Sequence, residues 1–405
     1  ISSIPYAETY NAFARVYDVT ENSKDSNVLN IALTTAVAQI GNVGYSSLQK
    51  AVNAVPTNNA QKEITLIRDT TEQINIVANK NIKLDLNGKT LTGSTQWETL
   101  INRGTLILEN GTVTTSPTTE YYSVIYNFGN MTINSGNYIT DLNNNPVLIV
   151  HEGATTTINN GTFLGNYRVI QVQGILNVKG GRIQSSASNG IIANASTADI
   201  TIDGGEITGP TSIYAKEGRV KINGGTVTSG TYAGIDVLNA KLTINNGTII
   251  GEENGVYVAS EATGAVTVNG GYFKGRNTAG IYLKGNITVN VNEGDLEGNQ
   301  FGIYNTNSGI VNMYGGTAQG YIYDGICLKT GATANIGNPS SVVDSTSPIL
   351  IGKNYGIAVA DGSTANFYKG SLQGDVAGYN GTVTPRNGYT LQTVQIGRYY
   401  KTTLK

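Results

Sequence analysis

Two registers of apolar residues recur along this chain at one shared spacing, and that recurrence constrains the fold more than any other feature. The clearest unit is GIDVLNAKLTINNGT, residues 234–248. It reads as two short strands, 234–237 and 241–244, closed by the turn Asn245-Asn246-Gly247-Thr248. Each strand alternates apolar and polar residues, the period of a half-buried strand. Asn-Gly is a turn signal because both residues tolerate positive φ. The turn glycine recurs as Gly111, Gly136, Gly161, Gly181, Gly205, Gly225, Gly247, Gly271, Gly294 and Gly316, at intervals of 20 to 25 residues. The residue three before it is apolar every time: Leu108, Ile133, Ile158, Val178, Ile202, Ile222, Ile244, Val268, Val291 and Met313. A second column runs through Ile125, Leu148, Ile170, Ile191, Ile213, Ile235, Val256, Ile281, Ile303, Ile326 and Ile357. Two registers with one period predict a solenoid rather than a string of globular domains.

A coil of about 22 residues has room for three short strands and their bends, with equivalent strands of successive coils pairing in parallel about 4.8 Å apart. Ten to thirteen coils then make a rod of roughly 50–60 Å. A leucine-rich repeat is the competing architecture, but the coils lack its leucine consensus and any helical segment. The expected fold is therefore all-β, a right-handed parallel β-helix with three strands per coil. Residues 1–40 fall outside the repeat, with a strand expected over 14–19 and a polar loop over 22–27. Residues 41–62 hold a capping helix and lead-in. The β-helix covers 63–378, and capping strands fill 379–405. The helix is expected over 45–55, YSSLQKAVNAV, where Ser46 or Ser47 can cap it and Leu48, Ala51, Val52 and Val55 form one apolar stripe. It lies where the open first coil needs a cover. The long interval from Gly337 to Gly370 is explained by a loop over 338–347. Strands at 390–395 and 399–404 are expected to seal the far end.

The run LQKAVNAVPTNN…ITLIRD…INIVANKNIKLDLNGKTLTG, followed by IxNxGTLxLxNGT units, resembles the right-handed parallel β-helix regions of Gram-positive cell-surface proteins. Their fold is shared with pectin and pectate lyases. The resemblance covers about residues 41–390. It implies an extracellular setting, at the bacterial cell surface or secreted, for a chain that acts as a monomer within a larger surface protein. The first residue is Ile1, so a mature piece of something longer is expected. The fold carries lyases, hydrolases and non-catalytic adhesins alike, so it does not choose among them.

The net charge of −2 gives no case for nucleic acid. No apolar run is long enough to span a bilayer. The single cysteine, Cys327, excludes an intrachain disulfide framework. A hydrolase on this fold needs two carboxylates about 5–10 Å apart, most simply at equivalent positions of adjacent coils, and the acids in register are isolated. Glu252-Glu253 is the one adjacent acidic pair at a bend, where a solvated surface is the ordinary reading. His151 reads as a surface residue and Cys327 as an inert thiol. No cofactor or metal is implied.

Tyrosine is the unusual component, with 24 Tyr against 6 Phe. The outward ladder beside the second apolar column reads Tyr126, Ile149, Gln171, Ile192, Tyr214, Asp236, Tyr257, Tyr282, Tyr304, Cys327 and Ala358. Tyr257, Tyr282 and Tyr304 fall in line on three consecutive coils, and Lys284 and Lys329 lie two residues beyond ladder positions. Rings so placed either stack on a ligand or only brace the sheet. The expectation is a non-catalytic adhesin or stalk that binds a glycan or a host-surface or matrix component through Tyr214, Asp236, Tyr257, Tyr282, Lys284, Tyr304 and Lys329. The alternative is a polysaccharide lyase or glycoside hydrolase acting on an acidic polysaccharide.

Overall fold

The computed structural model describes residues 36–94, 98–116, 123–339 and 347–405, and the backbone of four short strands before them. Those four strands make two antiparallel pairs, Thr9–Ala12 with Leu29–Ala32 and Arg15–Tyr17 with Ser23–Asp25. The expected polar loop over 22–27 thus contains a strand. Ser23-Lys24-Asp25 has no apolar alternation to reveal it, and its backbone pairing with Arg15–Tyr17 holds it extended.

From Gln61 onward the chain winds into a parallel β-solenoid of about 13 turns with about 23 residues per turn. Three sheets run along it. In the central coil, Ala233–Val237 belongs to sheet 3, Lys241–Ile244 to sheet 1 and Thr248–Gly251 to sheet 2. Both apolar columns pair in the register that the spacing predicts. Ile202, Ile222, Ile244 and Val268 are consecutive partners in sheet 1. Ile213, Ile235, Val256, Ile281 and Ile303 are consecutive partners in sheet 3. All of these are fully buried, because alternation sends every second side chain into the coil. At about 4.8 Å per coil, the 14 strands of sheet 3 span roughly 60 Å.

The corner between sheets 1 and 2 shows why glycine recurs there. Gly271 has φ +100°, and a Cβ on it would lie 2.8 Å from the carbonyl oxygen of Gly247 in the coil below. A side chain is excluded by the coil spacing as well as by the backbone angle. Beside the glycines, asparagine amides link the coils: Asn245 donates to Asn223, Asn269 to Asn245 and Asn292 to Asn269, each at 2.7 Å. A second run on sheet 1 joins Asn312 to Asn290, Asn335 to Asn312 and Asn366 to Asn335 at 2.8 Å. Such cross-strand pairs contribute roughly 0.2–1 kcal/mol each.

The helix is shorter than expected, Leu48–Ala54, capped by Ser47 Oγ accepting from the Lys50 amide. Tyr45 instead ends the strand Val43–Tyr45, which pairs with Ala38–Ile40. At the far end the parallel ladder of sheet 1 continues to Val383–Pro385, past the boundary at 378 read from the repeat. Sheet 2 then ends in an antiparallel hairpin, Leu391–Ile396 with Tyr399–Leu404, packed edge-on to Ser371–Gly374. Of the expected loop over 338–347, residues 340–346 lie outside the described residues.

Candidate ligand-binding face

Sheet 3 carries the residues singled out by the outward ladder. Tyr214, Asp236, Tyr257, Tyr282, Tyr304 and Cys327 are successive partners across six coils. The rings touch. Tyr257 and Tyr282 meet edge-to-face with centroids 5.5 Å apart, and Tyr282 and Tyr304 lie 5.0 Å apart at 34°. Each is half-buried rather than freely exposed, because neighbours cover its flanks.

Three further rings extend the row, and the ladder does not contain them. Tyr232 packs on Tyr257 at 5.2 Å. Phe301 stacks on Tyr304 at 4.4 Å and on Tyr323 at 5.5 Å. Six aromatic side chains thus form one unbroken strip along the solenoid axis. Phe301 is 8% exposed, yet it belongs to a small apolar cluster outside the main core, with Ala279 and Cys327 and with Tyr282, Tyr304 and Ala358 packed on it. The residue after Phe301 is glycine. A Cβ on Gly302 would lie 2.4 Å from the Gln319 amide nitrogen, so the backbone there presses directly on the sheet 2 strand Thr317–Gly320 of its own coil. The recurring aromatic-or-small residue before Gly-Ile-Tyr is the sequence signal that could have disclosed Phe301. Tyr232 and Tyr323 stand three residues before Ile235 and Ile326, where Glu253, Thr278 and Gln300 hold the equivalent places in the coils between, so no repeated residue type marks them.

Two carboxyl groups bracket the strip. Asp236 lies in register between Tyr214 and Tyr257. Burial, reinforced by Glu261, pushes its pKa up to about 6, and its Oδ1 has no hydrogen-bond partner. Asp324, beside Tyr323, is 6% exposed. Burial also pushes it up to about 6, against a backbone hydrogen bond at Tyr355 and the charge of Lys329, and its Oδ1 is likewise unpartnered. Sequence reasoning missed Asp324, since it stands in the bend before Gly325. Burial pushes the Cys327 thiol up to about 11, so it stays protonated and is a poor nucleophile at neutral pH.

The sign of the Asp236 shift yields a prediction. A carboxyl whose folded-state pKa lies above its unfolded value of about 3.9 favours the folded state when protonated. That contribution is complete below about pH 4 and is lost as pH rises through about 6. Asp236→Asn should therefore raise stability at pH 8, by up to about 3 kcal/mol, and change it little at pH 4. Urea unfolding of both proteins at the two pH values checks this.

Lys284 and Lys329 are exposed on one rim of the strip, and Lys216 occupies the equivalent place two residues beyond Tyr214. Among the described residues none of the three takes part in an ion pair. The acids at the other bends are committed. Glu252 pairs with Arg276 at 3.1 Å, and Glu253 accepts from Asn277 and Thr278, both at 3.0 Å. They are links between coils, not the solvated pair expected. His151 packs on Phe128 with centroids 4.7 Å apart, and Arg103 lies over the other side chain's ring at 4.7 Å. A surface hollow of about 480 Å³ lies at the glycine corner away from sheet 3. It exists because Gly224, Gly247, Gly271 and Gly294 have no side chains, and it brings no aromatic row or buried acid together. No group of three or more His, Cys, Asp or Glu that could hold a metal occurs among the described residues. Likewise no helix there is long and apolar enough to cross a membrane.

In comparisons with family models, curated proteins and solved structures, nothing matches this chain.

Proposed function

We propose that the chain is a non-catalytic binding module whose sheet 3 face holds a glycan along the solenoid axis. One observation carries the reading: six contiguous aromatic rings in a row, all but Phe301 at least partly exposed, with lysines outside any ion pair among the described residues on one rim. Tyrosine offers flat apolar area at low entropy cost and a hydroxyl for orientation. The rim cations suit an acidic glycan over a neutral one. A place at a Gram-positive cell surface, with a host or matrix component as partner, is part of this proposal and rests on the resemblance of residues 41–390.

The test is a panel of glycans and polysaccharides scored for both binding and product release. Tyr282→Ala should weaken binding by about 1–2 kcal/mol, the size of a modest hot spot, with a smaller change in melting temperature. If the variant with alanine at Tyr257, Tyr282 and Tyr304 binds as the parent does, the rings only brace the sheet. A second reading, polysaccharide cleavage, draws on the raised pKa of Asp236, which suits a general acid. Unsaturated or reducing ends appearing in the same panel would favour it over the binding module.

A further inference from the structure

The two acids at the ends of the strip have no role in the packing of the rings. They stand four coils apart, about 20 Å at 4.8 Å per coil, and both point an oxygen into a place with no donor. A structural carboxylate is normally hydrogen-bonded on both oxygens, because a buried one left unpaired is costly. These two are stable as neutral acids and strained as anions. Resting on the glycan reading above, we propose that Asp236 and Asp324 set the charge of the ligand this face accepts. With both acids neutral it takes a uronate-bearing oligosaccharide, and with both ionised it rejects one.

The charges around each acid support a change of charge at the face. Asp236 is faced by the phenols of Tyr214, Tyr232 and Tyr257 and by the carboxylate of Glu261, while Lys284 acts on Glu261 and Arg168 on Tyr214. Among the described residues no cation acts directly on it. Asp324 is faced by Lys329, by the neutral Cys327 thiol and by the backbone at Tyr355. Lys353, in the next coil, is held by Asp375 at 2.6 Å. Lys216, Lys284, Lys329 and Arg168 outnumber Glu261 around the strip when both aspartates are protonated, and ionising both lowers the charge of the face by two. The new negative charges appear at the two ends of the strip, among desolvated rings where repulsion of a carboxylate ligand is least screened. Both acids change state near pH 6, within the range of mildly acidic surfaces.

The probe is a galacturonic acid oligomer, with its fully methyl-esterified counterpart as the neutral control. Binding of each is measured by calorimetry at pH 5 and pH 7.5 at one ionic strength. The parent protein should bind the acidic oligomer about tenfold more weakly at the higher pH, the factor expected for about 1.4 kcal/mol of added repulsion. The methyl ester should show no such loss. The double variant Asp236→Asn, Asp324→Asn should bind the acidic oligomer at pH 7.5 as the parent does at pH 5. Equal binding of the acidic oligomer by the parent at both pH values overturns the charge gate and leaves the glycan reading standing. A pH dependence that survives in the double variant, or that the methyl ester shares, also overturns the gate. Failure of both oligomers to bind at either pH overturns the gate together with the uronate-glycan reading it rests on.

Discussion

Ile222→Asp should abolish cooperative folding of the central coils. Ile222 is fully buried, with Ile202 below it and Ile244 above it in the same column. A carboxylate there would have only aliphatic neighbours, so it must either stay ionised without a partner or take up a proton at a cost. A loss of at least about 4 kcal/mol is expected, which places it among the few severely destabilising single changes. In a solenoid each coil is held chiefly by its neighbours, so the damage extends to the coils on both sides. Lys221, the preceding residue, is exposed. Lys221→Asp should shift stability by no more than about 0.5 kcal/mol. Chemical unfolding followed by circular dichroism separates the two. An Ile222→Asp protein with the parent's midpoint would mean that the column is not inside.

The columns were legible because each coil repeats the same physical problem. Ile222 and Ile244 meet the same requirement, an aliphatic side chain stacked on its equivalent, so the sequence repeats the answer. Gly247 and Gly271 repeat for the same reason, since both are pressed by the coil below. What the repeat does not force is harder to read. The first clear coils meet the turn differently. Positive φ falls on Asn110 at 60°, not on Gly111, so one Asn-Gly pair hides two backbone solutions. Tyr138 defies the rule that tyrosine prefers partial exposure. It is fully buried, stacks on Phe163 at 4.7 Å and satisfies its hydroxyl on the Ser135 carbonyl at 2.7 Å. A single local acceptor made an inward tyrosine tolerable, and no periodicity shows that acceptor.

The candidate face divides in the same way. Tyr257, Tyr282 and Tyr304 were visible because they occupy a strand position, and strand positions are counted by twos. Phe301 and Asp324 stand two residues before the column residues Ile303 and Ile326, and Tyr232 and Tyr323 three before Ile235 and Ile326, so counting reaches these positions but the residue type there changes from coil to coil. Spatial contact across coils decides their roles. Phe301 and Tyr304 lie three residues apart on one strand, and only their ring contact at 4.4 Å shows that they act together.

The second large effect is expected at the opposite end of the molecule from the C-terminal hairpin. Removing residues 1–55 should make the protein aggregate. The helix Leu48–Ala54 covers the first coil with Leu48, Ala51 and Val52, all fully buried, and Val55 follows them at 1% exposure. Without it, Ile64, Leu66, Ile74 and Ile76 would lose their cover. The helix also answers the polar groups of the open edge. The side-chain amide of Gln49 accepts from the Asn75 amide at 2.7 Å and donates to the Asn75 carbonyl at 3.2 Å, taking the place of a missing strand. Glu72 returns the service, accepting from the amides of Leu48 at 2.9 Å and Gln49 at 3.0 Å at the positive end of the helix. At the other end Lys80, almost wholly buried, donates to the carbonyls of Val52, Asn53 and Val55. Burial alone lowers its pKa, but the three carbonyls meet its ammonium where the negative end of the helix lies. Lys80→Met keeps the length of the side chain and removes those donors, so it should cost about 2–3 kcal/mol without exposing the coil. Light scattering of the truncated protein and melting of the Lys80 variant test the two halves separately. A truncated protein that scatters no more light than the full chain and melts with it would show that the first coil needs no cover. An unchanged Lys80→Met protein would show that the helix is held by its apolar stripe alone.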